Sequence, residues 1–281
     1  MKKVILITGC RAGIGLATAV ATGKAGHIVY AGLRDISTAE ALKNASQGLC
    51  IYPLQLDITV AAQRNLVIEH ILSQHGRLDV LINNAGIGIG GFLQEIEEDE
   101  LRKVFEVGVF GTWALTKACL PALQKAPRGI VMMMSSLSGQ MAIPGIGSYC
   151  SAKFALEGMS ETWRHELKSF GIDVILIQPG AYQTDLIGEN RQVTRSAGSK
   201  GAQYQEMAQN LSKWYDKVVV GRAIDPSHLA QQIVRLLDQQ KPLLRYPIGP
   251  STGWRRLVLR ILPFGFVERY FQRIINSSKR Q

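Results

Sequence analysis

Short apolar runs alternate with longer amphipathic segments along most of the chain. Each run is four to seven residues long and is bounded by turn-forming or amide residues, as is typical of a buried strand. The runs that fit this description are 3–8, 27–33, 50–56, 78–82, 130–134, 173–177 and 243–246. Because helical patterns separate them, the sequence predicts an α/β fold. A single doubly wound, parallel, seven-stranded sheet is expected, with helices on both faces.

A glycine-rich turn follows the first predicted strand. Residues 8–26 read TGCRAGIGLATAVATGKAG, which is a strand end, a turn and an alanine-rich helix in succession. Gly9, Gly13 and Gly15 allow a tight turn and a close approach of the backbone to a pyrophosphate. The helix that follows directs its N-terminal amide groups at the phosphates. The strand–turn–helix context therefore predicts a Rossmann-type dinucleotide site.

The end of the second predicted strand bears on which dinucleotide binds. An acidic side chain there favours a free ribose hydroxyl, whereas an arginine accommodates a 2′-phosphate. This chain has Leu33 followed by Arg34, and Arg11 lies in the glycine turn. Two guanidinium groups at one point predict NADP(H) in preference to NAD(H). The alternative is that Arg34 pairs only with Asp35 or with solvent.

The segments between the strands contain start and stop signals for helices. Thr59 is predicted to cap a helix that runs to about His75. Residues 98–125 form a long helical pattern that contains Gly108 and that Pro121 is predicted to break. An interior glycine costs about 1 kcal/mol relative to alanine, so Gly108 requires a packing or functional reason.

A tyrosine and a lysine lie four positions apart at the start of a helix predicted at 147–170. On that helix Tyr149 and Lys153 share one face and reach the same small space. An ammonium beside a phenol favours the phenolate, so Lys153 is predicted to lower the pKa of Tyr149 towards neutrality. Ser136 follows the strand at 130–134, where its hydroxyl could orient a substrate oxygen. Because Tyr-x-x-x-Lys also occurs by chance in helices, the pattern does not establish catalysis by itself.

Two segments fall outside the strand–helix alternation. Residues 185–217 are polar and follow the sixth strand at the carboxyl edge of the sheet, so they are predicted to form a substrate lid. A helix beginning at Asp225 and a short strand then complete a catalytic domain over 1–250. Residues 251–281 form a basic, amphipathic extension. This extension could pack on its own domain, contact a partner subunit or lie on an anionic membrane surface.

The net charge of +10 is concentrated at the C-terminal end of the chain. From residue 241 onward nine Lys or Arg stand against one acid, Glu268, which gives +8 and leaves +2 for the rest. A nearly neutral main body argues against nucleic-acid binding.

The cysteines and the hydropathy of the chain indicate the cellular compartment in which the protein is expected. The cysteines, Cys10, Cys50, Cys119 and Cys150, have no paired or metal-type spacing, so free thiols and no metal site are expected. No apolar stretch approaches the roughly 18–20 residues of a membrane span, and the apolar run at the N-terminus is too short for a signal peptide. We therefore expect a cytoplasmic protein, with peripheral membrane contact through the tail as one of the three options above.

Several motifs taken together resemble the short-chain dehydrogenase/reductase family. They cover roughly the first two thirds of the chain, in the family's order and spacing. The matching motifs are TGCRAGIG (8–15), Asp57, NNAG (83–86), Ser136, Tyr149 with Lys153, and PGAYQT (179–184). The run YCSAKFALEG (149–158) and the basic C-terminal part also resemble 17β-hydroxysteroid and retinol dehydrogenases.

The resemblance implies hydride transfer between NADP(H) and a carbonyl/alcohol pair. It implies that Tyr149 is the general acid/base, that Lys153 lowers its pKa and holds the nicotinamide ribose, and that Ser136 binds the substrate oxygen. The implied cofactor contacts are Gly9, Gly13, Gly15, Arg11 and Arg34 for the phosphates, Asp57 for adenine, Asn84 for the ribose side, and Pro179, Gly180 and Thr184 for the nicotinamide amide. Ile14, Ile58, Ala85 and Gly86 are further implied contacts.

The family resemblance also implies a substrate class and an assembly. The substrate is expected to be an apolar alcohol or ketone that is steroid-, retinoid- or lipid-like, and the chain is expected to form a homodimer or homotetramer. One position departs from the family, because Gly108 stands where many members have an asparagine that supports a proton-relay water. Glycine keeps the main-chain carbonyl but lacks the side chain that fixes the local helix distortion, so we expect a looser relay. This departure and the basic tail leave an alternative, a non-catalytic regulator that binds NADP(H).

Overall fold

Seven parallel strands form the central sheet of the computed structural model, which describes residues 2–185, 191–250, 252 and 262–277. The strands are β1 Val4–Thr8, β2 Ile28–Leu33, β3 Ile51–Gln55, β4 Val80–Asn83, β6 Gly129–Met134, β7 Ile172–Pro179 and β9 Arg245–Ile248. They lie in the order β3-β2-β1-β4-β6-β7-β9, and every neighbouring pair is parallel. The predicted sheet is confirmed, although its last strand begins two residues later than the predicted 243–246.

Nine helices are described alongside the strands. They are α1 Gly13–Lys24, α2 Glu40–Ala45, α3 Ala61–His75, α4 Glu98–Phe105, α5 Thr112–Leu123, α6 Gly147–Glu166, α7 Ala202–Val218, α8 Pro226–Leu237 and α9 Phe264–Ile275. Helices α3, α5 and α6 pack on one face of the sheet, and α1 and α8 pack on the other. Two further strands, β5 Ile89–Gly90 and β8 Gln192–Val193, form a small separate sheet.

The apolar runs of the strands follow from burial on both faces. In β1 the side chain of Leu6 joins the cluster under α3, α5 and α6, whereas those of Ile5 and Ile7 join the cluster under α1 and α8. All three side chains are fully buried. Burying each one contributes about 2 kcal/mol, so the sheet requires a continuous apolar strand in place of an alternating one.

Two local predictions about helices are wrong. Thr59 does not cap α3, which begins at Ala61, because the Thr59 amide and hydroxyl donate instead to the Asp57 carboxylate at 2.9 and 2.7 Å. Pro121 does not break α5 but lies inside its final turns. The helix continues through the proline because neighbouring side chains such as Cys119 are buried against the core.

The helical pattern at 98–125 is interrupted by a π-helical segment, Glu106–Gly111, between α4 and α5. Gly108 is buried within it, and a Cβ added there would lie 3.5 Å from the Ala152 Cβ, which is an ordinary contact. π-Helical turns inside α-helices are found mostly at functional sites. The distortion is therefore present with glycine at position 108 and needs no asparagine side chain to form.

The predicted lid segment, 185–217, and the C-terminal extension are described in part. Strand β8 and most of α7 belong to the lid segment, β8 pairs with β5, and α9 packs against α7. The parts of the two predictions that fall on 186–190, 251, 253–261 and 278–281 lie outside the described residues. Among the residues that are described, no helix is long and apolar enough to cross a membrane.

Candidate active site

The carboxyl ends of β1 and β4 meet at the centre of the sheet, where the order of the strands changes direction. Open α/β sheets bind their ligands at such a point. The Thr8 hydroxyl at the end of β1 accepts hydrogen bonds from the backbone amides of Asn84 (3.0 Å) and Ala85 (2.9 Å). The Asn84 side chain donates in return to the carbonyl oxygens of Thr8 (2.9 Å) and Gly9 (3.2 Å). These four bonds fix the glycine turn to the end of β4.

Only glycine fits at key positions of this turn. Gly13 has a φ of 57°, in the left-handed region, and begins α1. A Cβ at Gly15 would lie 2.2 Å from the Gly9 carbonyl oxygen and 2.6 Å from the Asn84 Nδ2. The residue preceding α1, Ala12, provides no side-chain cap for the first amide groups of the helix. The turn therefore offers a close backbone surface and an uncapped helix N-terminus, which fit the pyrophosphate of a dinucleotide.

A cavity of about 1120 Å³ opens in front of the glycine turn. Drug-sized ligands occupy sites of about 300–1,000 Å³, so this cavity is large enough for a dinucleotide with a substrate beside it. Every residue predicted for the site lines it: Gly9, Arg11, Gly13, Ile14, Gly15, Arg34, Asp57, Ile58, Asn84, Ala85, Gly86, Ser136, Tyr149, Lys153, Pro179, Gly180 and Thr184. The structure thus brings them together in one place, and their individual roles stay predictions.

The two arginines predicted near the 2′-phosphate have different surroundings. The Asp35 carboxylate accepts hydrogen bonds from the Ser37 amide (2.9 Å) and hydroxyl (2.7 Å), and these bonds, together with the charge of Arg34, lower its pKa. Arg11 forms an ion pair with Asp185, at the start of the lid segment. No sequence motif indicated this ion pair, because its partners are 174 positions apart.

Asp57 shapes the loop after β3 as well as lining the cavity. Its carboxylate accepts the two bonds from Thr59, and its own amide donates to the Gln63 Oε1 at 2.6 Å. The Arg64 guanidinium donates to the carbonyl oxygen of Ile58 at 2.7 Å. This network holds Asp57 and Ile58 at the cavity wall.

The three candidate catalytic side chains come from two neighbouring elements. Ser136 follows β6 and begins a short 3-10 turn, in which its hydroxyl accepts a hydrogen bond from the Ser138 amide at 3.1 Å. Tyr149 and Lys153 lie one turn apart on α6. The Lys153 Nζ donates to the carbonyl oxygen of Met134 at 2.7 Å and lies 5.5 Å from the centroid of the Tyr149 ring.

The predicted fall of the Tyr149 pKa towards neutrality is not found in this structure. Burial raises the pKa of the Tyr149 phenol, and the hydrogen bond with Ser136 offsets this only in part. Burial also lowers the pKa of Lys153 to about 8, against the attraction of the Glu157 carboxylate. Desolvation therefore outweighs charge pairing at this site, and the phenol keeps its proton at neutral pH.

Glu157 is a member of the site that sequence reasoning missed. It is buried on α6, one helical turn after Lys153. Its Oε1 accepts hydrogen bonds from the Ser135 hydroxyl (2.6 Å) and from the Gln178 side chain (2.9 Å). Its Oε2 accepts from the Arg245 Nε at 2.9 Å, so it joins α6 to β7 and β9. The only signal in the sequence was an acid four residues after the lysine.

The lid segment adds a second tyrosine that was also missed. Tyr215 lies on α7 and lines the cavity, close enough to Tyr149 to raise its pKa. The Arg191 guanidinium lies 5.4 Å from the centroid of the Tyr215 ring and donates to Asp216 (3.1 Å) and Ser212 (3.0 Å). Apolar side chains line the same part of the cavity: Ile87, Phe92, Ile143, Ile146, Val193, Leu211 and Val218.

Strong contacts hold the start of the lid segment to α4 and the loop before it. The Thr194 hydroxyl donates to the buried Glu100 carboxylate at 2.6 Å, and the Gly198 amide donates to Glu95 at 2.8 Å. Arg195 forms a two-bond ion pair with Asp99 at 2.7 and 2.9 Å. Described residues of the lid segment, among them Val193, Leu211 and Tyr215, line the cavity, and its role as a substrate lid stays a prediction.

Comparisons with known proteins agree with this fold and site. The family model described as short chain dehydrogenase matches residues 3–194. The 3-ketodihydrosphingosine reductase of Bacteroides thetaiotaomicron is 35% identical over 248 residues, which are 88% of each chain. Human 17-beta-hydroxysteroid dehydrogenase type 1 is 35% identical over 263 residues, which cover 87% of this chain and 77% of the human protein.

A solved structure agrees over nearly the whole chain. The crystal structure of a short-chain dehydrogenase from Streptomyces avermitilis has a TM-score of 0.78 and 31% identity, and the match covers 96% of this chain and 98% of that protein. The match to the family model covers more than half of the sequence and includes the glycine turn, Ser136, Tyr149 and Lys153. The chain therefore belongs to the short-chain dehydrogenase/reductase family of oxidoreductases.

Proposed function

We propose that the chain transfers a hydride between NADP(H) and the carbonyl or secondary alcohol of an apolar, lipid-like substrate. One observation carries the proposal. Ser136, Tyr149 and Lys153 line the same cavity as the glycine turn and the apolar residues of the lid segment. A dinucleotide held by the turn and a substrate held by the lid segment can therefore meet at the phenol.

The side chains support proton transfer coupled to that reaction. The bound cofactor supplies the hydride in reduction and accepts it in oxidation. The Tyr149 phenol, which burial keeps protonated, donates its proton to the substrate oxygen during reduction and takes it back during oxidation. The Ser136 hydroxyl orients the same oxygen. Lys153 places a positive charge one helical turn from the phenol, where it stabilises the phenolate that remains after transfer.

The preference for NADP(H) rests on Arg34. Its side chain is exposed at the cavity, and the carboxylate next to it is occupied by Ser37. A guanidinium that is exposed at the cavity suits a phosphate on the ribose. Arg11, within the glycine turn, lines the same cavity and forms an ion pair with Asp185.

The proposed substrate class rests on the lining of the lid side of the cavity. Ile143, Ile146, Leu211 and Val218 line the same cavity as Tyr149. The two relatives reported above are named for a sphingoid-base ketone and for a steroid. Both are largely apolar molecules with one reacting carbonyl or alcohol, which supports a lipid ketone or the corresponding alcohol for this chain.

The cofactor is tested by titrating the purified protein with NADPH and with NADH. We expect NADPH to bind more tightly, and we expect Arg34→Ala to weaken NADPH binding about tenfold to a hundredfold with little effect on NADH. Lys43→Ala, which removes an exposed charge on α2, is the matched control. Equal binding of the two cofactors, or an unchanged affinity in Arg34→Ala, would overturn the preference.

Catalysis is tested on a panel of steroid and long-chain ketones. We expect Tyr149→Phe to reduce turnover about a hundredfold to ten-thousandfold while NADPH still binds. Tyr52→Phe removes the hydroxyl of an exposed tyrosine on β3 and should leave turnover unchanged. Tight NADPH binding without turnover of any ketone would favour the non-catalytic regulator instead.

A further inference from the structure

Helix α9 packs one face against α7, the helix of the lid segment. Phe271 and Ile275 on that face are buried. The Trp214 Nε1 of α7 donates to the Tyr270 hydroxyl at 2.8 Å, and its ring lies 5.6 Å from that of Phe271. The Asn210 side chain donates to the carbonyl oxygen of Ile275 at 3.1 Å. These contacts fix the orientation of α9 on α7.

The opposite face of α9 is apolar and basic at the same time. Phe266 is 53% exposed on this face, and Tyr270, which is 49% exposed, lies at its edge, where its hydroxyl accepts the bond from Trp214. Arg269 and Arg273 are exposed beside them, and the Arg269 guanidinium lies 4.7 Å from the centroid of the Phe266 ring. The acid of the helix, Glu268, lies more than a quarter turn away from all four in the helical wheel. We call Phe266, Arg269, Tyr270 and Arg273 the outer face of α9.

The C-terminal part of the chain, to which α9 belongs, is basic in composition. Residues 241–281 contain nine Lys or Arg and one acid, whereas the rest of the chain is nearly neutral. Aromatic rings prefer the boundary between lipid headgroups and acyl chains, and arginines extend from there to the headgroup phosphates. An amphipathic helix of this composition matches an anionic bilayer in both its apolar and its charged parts.

We propose that the outer face of α9 docks on the surface of an anionic lipid bilayer. The protein lies on the membrane and does not span it. Phe266 enters the interfacial region, Arg269 and Arg273 contact lipid phosphates, and Tyr270 keeps its bond to Trp214 at the edge of the face. The opposite face of α9 remains packed on α7, so docking requires no rearrangement of the fold.

Docking at this place brings the bilayer next to the substrate cavity. Helix α7 lines the cavity through Leu211 and Tyr215, and it carries α9 through Asn210 and Trp214 on a different face. A lipid substrate that leaves the bilayer at α9 is therefore one helix away from the cavity. This second step rests on the proposed function, whereas the docking step does not.

Docking is tested by flotation of the full chain with vesicles of equal parts phosphatidylglycerol and phosphatidylcholine, and with vesicles of phosphatidylcholine alone. We expect binding to the anionic vesicles, and weaker binding when NaCl rises from about 50 mM to about 500 mM. Each arginine near an anionic surface contributes about fivefold, so Arg269→Ala/Arg273→Ala should bind about 25-fold more weakly. The matched control is Lys24→Ala/Lys43→Ala, which removes two exposed charges from α1 and α2.

A second pair of variants tests the apolar part of the face. Phe266→Ala should weaken vesicle binding, and Leu66→Ala, at an exposed leucine of α3, should not. Thermal unfolding of all variants checks that the fold is kept. Vesicle binding that is absent in the wild type, or equal in the α9 variants and their controls, would overturn the proposal. A change of oligomeric state in Arg269→Ala/Arg273→Ala without lipid would overturn it too, because the face would then be covered by a second copy.

The route to the cavity is tested by turnover with two ketones. A water-soluble ketone should be reduced equally by the wild type and by Arg269→Ala/Arg273→Ala. A long-chain ketone supplied in anionic vesicles should be reduced more slowly by the variant. If the wild type reduces neither ketone, the proposed function fails while the flotation result still decides the docking. Equal rates on the vesicle-borne ketone would overturn the route from the bilayer.

Discussion

Glu157 acts on the charge of Lys153, the candidate catalytic lysine, from one helical turn away. Burial lowers the pKa of Lys153 to about 8, and the Glu157 carboxylate raises it. Glu157→Gln keeps the shape of the side chain and removes this charge, so the pKa of Lys153 should fall further. Because lysine is charged below its pKa, the high-pH limb of the turnover profile should move to lower pH. The pH dependence of turnover measures this shift.

Glu161→Gln is the matched control for that prediction. Glu161 binds the same arginine, Arg245, but its side chain is half-exposed and makes no contact with Ser135 or Gln178. Its loss should leave the pH profile unchanged. Breaking the buried pair in Glu157→Gln should also lower the free energy of unfolding by about 2 kcal/mol. An unchanged pH profile in Glu157→Gln, with the fold intact, would show that Glu157 only supports the structure.

Gly15 is the residue on which the shape of the dinucleotide cradle depends most sharply. A Cβ there would lie 2.2 Å from the Gly9 carbonyl oxygen, so Gly15→Ala must displace the turn. We expect NADPH binding to be lost and the free energy of unfolding to fall by about 2 kcal/mol. Gly158→Ala, at an exposed position of α6 with open space around it, should instead stabilise by about 0.5–1 kcal/mol. Thermal unfolding and NADPH titration of both variants check this, and retained binding in Gly15→Ala would contradict it.

Among the elements, the lid segment depends on one buried carboxylate. Glu100 accepts hydrogen bonds from the Thr194 hydroxyl (2.6 Å) and the Arg195 amide (3.1 Å). Thr194→Val removes the hydroxyl and leaves part of a buried carboxylate without a donor. Because Thr194 holds the substrate side of the cavity, we expect the KM for the ketone to rise about tenfold while the affinity for NADPH is kept.

Ser196→Ala is the control for the lid prediction. Ser196 also bonds an acid of this region, Glu97, but both side chains are exposed. Its KM should stay within about twofold of the wild type, since exposed polar contacts contribute little. Equal effects of Thr194→Val on the ketone KM and on NADPH affinity would show that it perturbs the whole fold rather than the lid segment.

The elements of the sheet could be predicted because each strand is buried on both faces and is therefore apolar throughout. β5 and β8 could not, since a strand of two residues leaves no pattern. The cap at Thr59 failed because the Asp57 carboxylate holds the Thr59 amide and hydroxyl in a turn, and α3 begins two residues later at Ala61. The predicted break at Pro121 is wrong because the tertiary packing of α5 outweighs the low helix propensity of proline.

The site was predictable to the extent that its chemistry lies in short motifs. Tyr149, Lys153 and Ser136 have fixed spacing, so their convergence followed from one helix and one strand. Glu157 acts through Arg245, 88 positions away, and Arg11 pairs with Asp185 across 174 positions. Such ion-pair partners can be identified only in the folded structure, where the sheet and the lid segment bring them together. The raised pKa of Tyr149 has the same origin, because burial depends on the whole fold.

At the scale of the whole molecule, two helices lie one above the other on one side of the cavity. The cavity holds the candidate catalytic residues, α7 covers it, and α9 covers α7. The basic charge is concentrated in the C-terminal part of the chain, which includes α9, the outer of the two helices. A nearly neutral catalytic body with a basic outer helix separates the chemistry of the site from attachment to a charged surface.

A different surface bears on the predicted homodimer or homotetramer. Three large apolar side chains are exposed: Phe110 in the π-helical segment, Trp113 on α5 and Phe154 on α6. The π-helical segment and α6 are in contact where Gly108 packs against Ala152. Large exposed apolar side chains that cluster in this way favour contact with a second copy of the chain. We predict that light scattering after gel filtration gives at least twice the 30.9 kDa of one chain.

A charged substitution at the centre of this surface tests that assembly. Phe154→Asp would bury an unpaired carboxylate between subunits, so it should shift the protein to the mass of one chain. Phe170→Asp, at an exposed phenylalanine in the turn after α6, should leave the mass unchanged. If the wild type itself has the mass of one chain, or if Phe154→Asp remains assembled, these aromatic residues do not form the subunit contact. Vesicle flotation of Phe154→Asp then separates the two surfaces, because docking through α9 should not depend on assembly.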